Sequence, residues 1–178
     1  MKTIQLLDRK FALSIPSATI QQAVKRVAEQ INKDLEGKSP IFVCVLNGAF
    51  MFAADLLKLL TIPCEVSFVK LSSYSGILST GAVKEVIGLN EDIQGRTIVI
   101  VEDIIDTGLT MQKIIDSLQR FHPAEIKVAS FLSKPEALQV DVPQDYVAIE
   151  IPNEFIVGYG LDYNGFGRNL TDIYTVTE

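Results

Sequence analysis

Residues Ile98 to Thr110 read Ile-Val-Ile-Val-Glu-Asp-Ile-Ile-Asp-Thr-Gly-Leu-Thr, with Thr97 just before them. Thr97 to Val101 is an apolar run of strand length without polar alternation, as suits a strand buried on both faces of a parallel sheet. The following EDIIDTGLT reads as a loop, after which Met111, Ile114, Ile115 and Leu118 recur at helical spacing. In an open parallel sheet, ligands bind beyond the carboxyl ends of the strands. Two adjacent acids at such an end, Glu102 and Asp103, need water, a cation or hydroxyl donors. Asp106 to Thr110 can open the helix, where unpaired N–H groups, the helix dipole and two hydroxyls make a phosphate pocket. Gly108 lets the backbone approach an anion closely. Acids for a sugar diol or magnesium, beside a phosphate pocket, suit a phosphorylated sugar. The bland alternative is a capped helix after a buried strand, with Asp106 or Thr107 as the cap. DTG alone favours that alternative; the whole string favours a ligand site.

Outward from this string, strands and helices alternate. Ser17 is an expected N-cap, followed by Ile20, Val24, Val27, Ile31 and Leu35 until Gly37 stops the helix. Ile41 to Leu46 (IFVCVL) is a second buried strand, Asn47-Gly48 breaks it, and Ala49 to Leu60 returns to helical habit. Cys64 to Tyr74 alternates, with Val66, Phe68 and Lys70 set against Glu65, Ser67 and Val69. Ser75 to Val83 offers glycines and small polar residues and reads as a mobile loop, with a returning strand over Lys84 to Leu89. Ile126 to Leu132, Tyr146 to Ile151 and Ile173 to Val176 supply further strands. Such alternation implies right-handed βαβ units: one α/β domain with a mostly parallel sheet and some antiparallel additions.

The chain has 178 residues, 48% hydrophobic and 21% charged, and 16 basic against 22 acidic residues leave a net charge of −6. A chain of this length buries roughly 70% of its unfolded surface, and its apolar content excludes disorder. The acidic balance excludes a broad basic face for duplex nucleic acid. No apolar run reaches bilayer-crossing length, and Asp8, Arg9 and Lys10 interrupt the stretch that a signal peptide would keep apolar. A soluble, cytoplasmic protein with no nucleic-acid or membrane partner is expected. Cys44, inside IFVCVL, reads as a small buried hydrophobe, and Cys64 gives no sign of a disulfide framework. The single histidine, His122, excludes a zinc site of several imidazoles, so a metal here takes oxygen ligands and is magnesium or a similar hard ion.

The central string lacks the GxGxxG of dinucleotide folds and the GxxxxGK[ST] of P-loop enzymes. It resembles the phosphoribosyl-pyrophosphate signature of type I phosphoribosyltransferases. It is more closely similar to the hypoxanthine-guanine phosphoribosyltransferases, which carry VEDIIDTG with a threonine two places on. Val45 to Phe52 (VLNGAFMF), Ser73-Tyr74, Lys127 to Lys134 (KVASFLSK) and Glu150 to Arg168 follow in family order. The resemblance implies a mostly parallel twisted sheet flanked by helices, with a small hood formed by terminal segments. It implies a single domain over 1–178, its core roughly 38–150.

The same resemblance implies purine salvage: magnesium-dependent transfer of 5-phosphoribosyl from phosphoribosyl pyrophosphate to hypoxanthine or guanine, giving IMP or GMP plus pyrophosphate. Glu102 and Asp103 would hold the ribose hydroxyls, directly or through magnesium. Asp106, Thr107, Gly108, Leu109 and Thr110 would bind the 5′-phosphate, with Asp106 also near purine N7 as general base or acid. Lys134 would donate to the 6-oxo group and so discriminate against adenine. Phe155 would stack on the purine, Ile156 would meet the base edge, and Asp162 would be a magnesium ligand beside the purine and pyrophosphate. Leu46, Asn47, Gly48 and Arg168 would bind pyrophosphate, the first of these through a loop that often has a cis non-proline peptide. Ser73 and Tyr74 would begin a loop that closes over the reacting centre and excludes water. A homodimer or homotetramer is expected by the same analogy.

This chain departs from the pattern at three places. Asn47 stands where many relatives have lysine, Leu109 where some do, and Ser72 replaces a lysine near the Ser-Tyr pair. Without the resemblance, Lys134 would be an ordinary strand-end lysine, Phe155 a core aromatic, Asp162 a turn carboxylate and Arg168 a surface charge. Rival readings are the same chemistry with xanthine as a substantial substrate, a regulatory sensor that keeps the fold or binds RNA, and a nucleotide-binding module without turnover. Asp106, Lys134 and Asp162 together favour the enzyme.

Overall fold

The computed structural model describes residues 2–73 and 83–177, and their side chains except at 71–73 and 83–87. Along the chain run β1 (Thr3–Leu6), β2 (Arg9–Ile15), α1 (Ser17–Asp34), β3 (Ile41–Leu46), α2 (Phe50–Lys58), β4 (Glu65–Ser73) and β5 (Val83–Ile87). Then come β6 (Thr97–Ile105), α3 (Leu109–Gln119), β7 (Glu125–Ser133), β8 (Tyr146–Glu150), β9 (Ile156–Val157) and β10 (Ile173–Val176). The sheet that carries the central string has the order β5-β4-β3-β6-β7-β8. Five of its strands are parallel, and β5 joins antiparallel at the edge. The α/β reading therefore holds, with both apolar runs at the middle of the sheet.

Continuous apolar sequence is what a doubly covered strand needs, and β3 and β6 show why. Phe42, Cys44, Val99 and Val101 pack with α1 and α2 on one face, while Ile41, Val43, Ile98 and Ile100 pack with α3 on the other. Cys44 is fully buried and its thiol is pushed up to about 12 by that burial, which fits its reading as a hydrophobe. In β4 the alternation is real, and the buried members are Ser67 and Val69. Val66 and Phe68 pair with Phe42 and Cys44 and so face the α1/α2 side, yet they remain 40% and 43% exposed.

The two helices that follow β3 and β6 diverge. The first leads to β4 on one side and the second to β7 on the other, covering opposite faces. The carboxyl ends of β3 and β6 thus flank the switch point where an open sheet leaves its crevice.

A second sheet, of order β1-β2-β10-β9, is antiparallel throughout and joins the two ends of the chain. Two local expectations change here. Ser17 is not the cap of α1: Pro16 holds that position, and the Ser17 amide donates to Asp172 Oδ1 at 2.8 Å from the far end of the chain. The string after Val101 is also not loop at its start, since β6 continues to Ile105 and pairs with β7 as far as Ser133. The acids Glu102 and Asp103 therefore lie on a strand, which fixes their backbone more firmly than a loop would.

Candidate functional site

Because β6 runs on through the acids, their backbone is set by the ladder and only their side chains are free to answer a ligand. Glu102 is 7% exposed and Asp103 half-buried. Glu102 Oε1 accepts from the Asp103 amide at 3.0 Å, and Asp103 Oδ1 accepts from the Ile104 amide at 2.8 Å. Burial pushes both carboxyl groups above their ordinary range, Glu102 further because the Asp103 charge adds to it; the Arg168 charge works against the rise at Asp103. A cation or sugar hydroxyls brought to this pair would favour the charged form. The donors are all carboxylate oxygens, which fits a hard ion such as magnesium. Among the described residues no group of three candidate ligands converges.

Past Ile105 the chain turns into α3. Gly108 is the helix N-cap with φ +82°, and no side chain caps the helix. Neither Asp106 nor Thr107 takes that role, although Thr107 Oγ1 accepts a long bond of 3.4 Å from the Leu109 amide. Glycine suits this place on two counts, because a Cβ would sit in a left-handed conformation and in tight contact, at 3.0 Å, with the Val140 carbonyl. The first bond of the helical ladder is Gln112 N to Gly108 O at 2.9 Å. The amides before it have no acceptor within the helix, and with the helix dipole behind them they suit an anion.

Three other segments meet this pair of features. At the end of β3 the Leu46-Asn47 peptide is cis, as the resemblance implied. Gly48 lies flat against Asp103, where a Cβ would fall 1.5 Å from Oδ2. From the tail, Arg168 donates to the Gly160 carbonyl at 2.7 Å and pairs with Asp162 at 2.6 Å, while the Gly165 amide donates to the other Asp162 oxygen at 2.7 Å. A cleft of about 390 Å³ is lined by Leu46–Gly48, the two acids, Asp106–Gly108 with Thr110, and Asp162 with Arg168.

Lys134, Phe155, Ile156 and Leu109 lie outside that lining. Lys134 nevertheless joins it, donating to Asp106 Oδ2 at 3.1 Å. Its side chain is 9% exposed, so it is not the solvated strand-end lysine that its position alone suggests. Asn153 also accepts from it, at 3.5 Å, a partner that no sequence motif singled out. Phe155 is exposed on one side and backed by the rings of Phe11 and Tyr163, with centroids at 6.3 and 5.8 Å. Ile156 belongs to β9, an edge strand bonded only to β10 within its sheet, so one edge of its backbone faces outward. Leu109 is exposed at the start of α3. Ser73 ends β4, and Tyr74 with most of the expected mobile loop lies outside the described residues.

Sequence and structure comparisons bear on this arrangement. The model of the phosphoribosyl transferase domain matches residues 16–164. The hypoxanthine-guanine phosphoribosyltransferase of Aquifex aeolicus is 39% identical over 176 residues, covering 98% of this chain and 99% of that one. The human enzyme of the same name is 38% identical over 183 residues, covering 97% of this chain and 82% of its own. Among solved structures, a hypoxanthine-guanine phosphoribosyltransferase from Bacillus anthracis superposes with a TM-score of 0.87 at 38% identity, covering 94% of this chain and 97% of that one. An acid pair on a strand, a phosphate-ready helix start and a lysine paired with the intervening aspartate thus occur in a chain that belongs to the phosphoribosyltransferase family, among its hypoxanthine-guanine members.

Proposed function

We propose that this chain transfers the 5-phosphoribosyl group of phosphoribosyl pyrophosphate to hypoxanthine or guanine, forming IMP or GMP and pyrophosphate in purine salvage. The observation that carries this reading is the Lys134–Asp106 contact at the rim of a cleft that also holds the acid pair and the open helix start. Each end of the substrate then has a matching group. The amides and hydroxyls from Thr107 to Thr110 take the 5′-phosphate. Glu102 and Asp103 take the ribose hydroxyls, and the Leu46–Gly48 backbone and Arg168 take the diphosphate, for which a planar guanidinium is well suited.

The chemistry asks for charge in two places. As the bond from C1′ to pyrophosphate lengthens, the ribose gains positive charge, and the nearby carboxylates stabilise it. Glu102 and Asp103 on the ribose side, and Asp162 on the diphosphate side, would hold magnesium with substrate oxygens completing its shell, and the ion would supply positive charge to the departing diphosphate. Asp106 takes or returns the purine proton at N7. Lys134 has three N–H donors, so it can keep Asp106 and still donate to the 6-oxo group. Adenine offers a donor at that place and is refused. Phe155 stacks on the ring, held from behind by Phe11 and Tyr163. Ser73 and Tyr74 begin the segment that shuts out water.

We further read the chain as one cytoplasmic working unit, in which the sheet of its two ends forms a hood over a core of roughly 38–150. Among the described residues no helix is long and apolar enough to cross a membrane. Assembly into a homodimer or homotetramer is supported by the exposed apolar side chains Phe50 on α2, Leu59 just after it, and Val66 and Phe68 on β4. Light scattering should find an oligomer for the native chain and a smaller species for Phe68→Glu.

The deciding experiment supplies phosphoribosyl pyrophosphate and magnesium with hypoxanthine, guanine, xanthine or adenine in turn. Nucleotide from the 6-oxopurines and none from adenine is the expected result. No nucleotide from any base, in folded protein, removes the enzymatic reading. A relative from Tritrichomonas foetus, 40% identical over 160 residues, is named for xanthine as well as hypoxanthine and guanine, which is why xanthine is in the set.

A further inference from the structure

Tyr159 has no part in the roles assigned above and is 1% exposed. Its φ is +45°, between Gly158 at +110° and Gly160 at +101°. Residues that carry a side chain avoid that region, so the surroundings must hold this one there. The holding groups are visible. The Tyr159 hydroxyl donates to Asp55 Oδ2 at 2.6 Å, its ring lies against Phe131 with centroids 4.7 Å apart, and its amide donates to the Leu170 carbonyl at 2.8 Å. Burial, reinforced by the bond to Asp55, pushes the phenol above its ordinary range, so the donor proton stays in place throughout the working pH range.

Asp55 is not an isolated acceptor. It also takes bonds from Gln21 Nε2 and Lys58 Nζ, each at 2.8 Å, so α1, α2 and the tail converge on one carboxylate. The next residue along the tail is Gly160, which lies against the Gly48 carbonyl so closely that a Cβ would be 2.0 Å away. Gly160 and Arg168 exchange two hydrogen bonds, Gly160 N to Arg168 O at 3.0 Å and Arg168 Nη1 to Gly160 O at 2.7 Å. The Leu46–Gly48 loop is therefore bounded by two structures. Helix α2 continues from it, and the Gly160 segment lies on it. The Asp55–Tyr159 hydrogen bond ties those two structures together.

We propose that Asp55 and Tyr159 are positioning residues for the diphosphate end of the site. Their hydrogen bond keeps Gly160 on Gly48 and Arg168 beside Asp162, so that the loop meets the diphosphate already formed. This inference rests on the reading of Leu46–Gly48 and Arg168 as the diphosphate-binding side. It adds two residues that touch no substrate atom and act through the backbone they hold.

The test uses Tyr159→Phe, which keeps the ring and removes one hydroxyl, and Asp55→Ala. Calorimetry with magnesium and inorganic pyrophosphate is run on the native chain, each single variant and the double variant, alongside steady-state kinetics with hypoxanthine. Loss of a hydrogen bond to a charged acceptor is expected to weaken pyrophosphate binding and raise the KM for phosphoribosyl pyrophosphate by about tenfold. The KM for hypoxanthine should change less than about twofold, and the double variant should be no worse than the more affected single one, as for two residues acting as a unit. Unchanged pyrophosphate affinity in Tyr159→Phe overturns the proposal, whatever happens to the melting temperature. So does an equal loss for both substrates, which is what general loosening of the fold would give. If Tyr159→Phe fails to fold, Asp55→Ala decides by the same readout. A native chain that turns over yet shows no pyrophosphate binding refutes the proposal together with the diphosphate assignment, whereas a native chain that binds pyrophosphate without turnover refutes only the enzymatic reading.

Discussion

Lys134 has 9% of its side chain exposed, and its ammonium meets Asp106 at 3.1 Å and Asn153 at 3.5 Å. A cation so placed needs its partners, because an unpaired buried charge costs several kcal/mol. On the proposed reading, the carboxylate that would take the purine proton also keeps the lysine that would read the purine in position. Asp106→Asn retains an acceptor for Lys134 but loses the proton carrier. Nucleotide formation should fall by about 10²–10⁴ while hypoxanthine still binds, and single-turnover kinetics beside equilibrium binding checks both halves. Lys134→Gln removes the ammonium and can present an amide carbonyl to the base. Its KM for hypoxanthine should rise about 10–100-fold, the loss of a charged hydrogen bond. Competition between hypoxanthine and adenine should show weaker discrimination. Undiminished preference for the 6-oxopurine would show that Lys134 does not read that position.

Among elements, α1 is the one whose support comes from furthest along the chain. Pro16 stands at its cap with no side-chain bond, and Asp172 supplies an oxygen to Ser17 N from 155 residues away. Asp172 is also paired with Lys2 and accepts from Tyr174, so α1, β1's leading residue and β10 share one carboxylate. The Lys2 hydrogen bond first, then the Ser17 amide, hold its carboxyl below the ordinary range. A folded-state value below the unfolded one gives stability that is present above the unfolded pKa of about 3.9 and is lost as pH falls through the folded value. Asp172→Asn should therefore flatten the acid side of the stability profile. Asp172→Ala should cost about 1 kcal/mol at neutral pH through the lost cap, or about 2–4 °C of melting temperature in a domain of this size. Thermal scans across pH on both variants check the sign and the amount. The same element shows where sequence stops informing. Apolar spacing placed α1, α2 and α3 and both central strands, because periodicity is local. Local pattern does not show the role of Ser17 because its partner is remote, nor the full length of β6, because a strand that ends in acids breaks the apolar pattern without ending the ladder.

For the whole molecule, the central string carried most of the site: acids, phosphate loop and Asp106 are contiguous in sequence. The groups contributed by the tail are legible only through family spacing, and Tyr159 and Asp55 through neither, since nothing local marks a contact made across 104 residues; Asn153, 19 residues from Lys134, also carries no local mark. The second sheet is the extreme case. β1 has only half-buried alternation, and the sheet exists because β10 lies between β2 and β9. In β10, Ile173 and Tyr174 are almost wholly buried. Each such side chain contributes about 1.5–3 kcal/mol on burial, against a total stability of about 5–15 kcal/mol for a domain. β10 also accounts for Phe155, whose carbonyl accepts from Val176 N at 2.9 Å. Removing residues 173–178 should therefore open the sheet of the two ends before the larger sheet is lost. Hydrogen exchange followed by mass spectrometry should show β1, β2 and β9 losing protection while β3, β6 and β7 keep it, and the KM for hypoxanthine should rise with the loss of the frame behind Phe155. Uniform loss of protection across both sheets would mean that the sheet of the ends is an integral part of one cooperative unit, and that the purine side cannot be loosened without unfolding the acid pair as well.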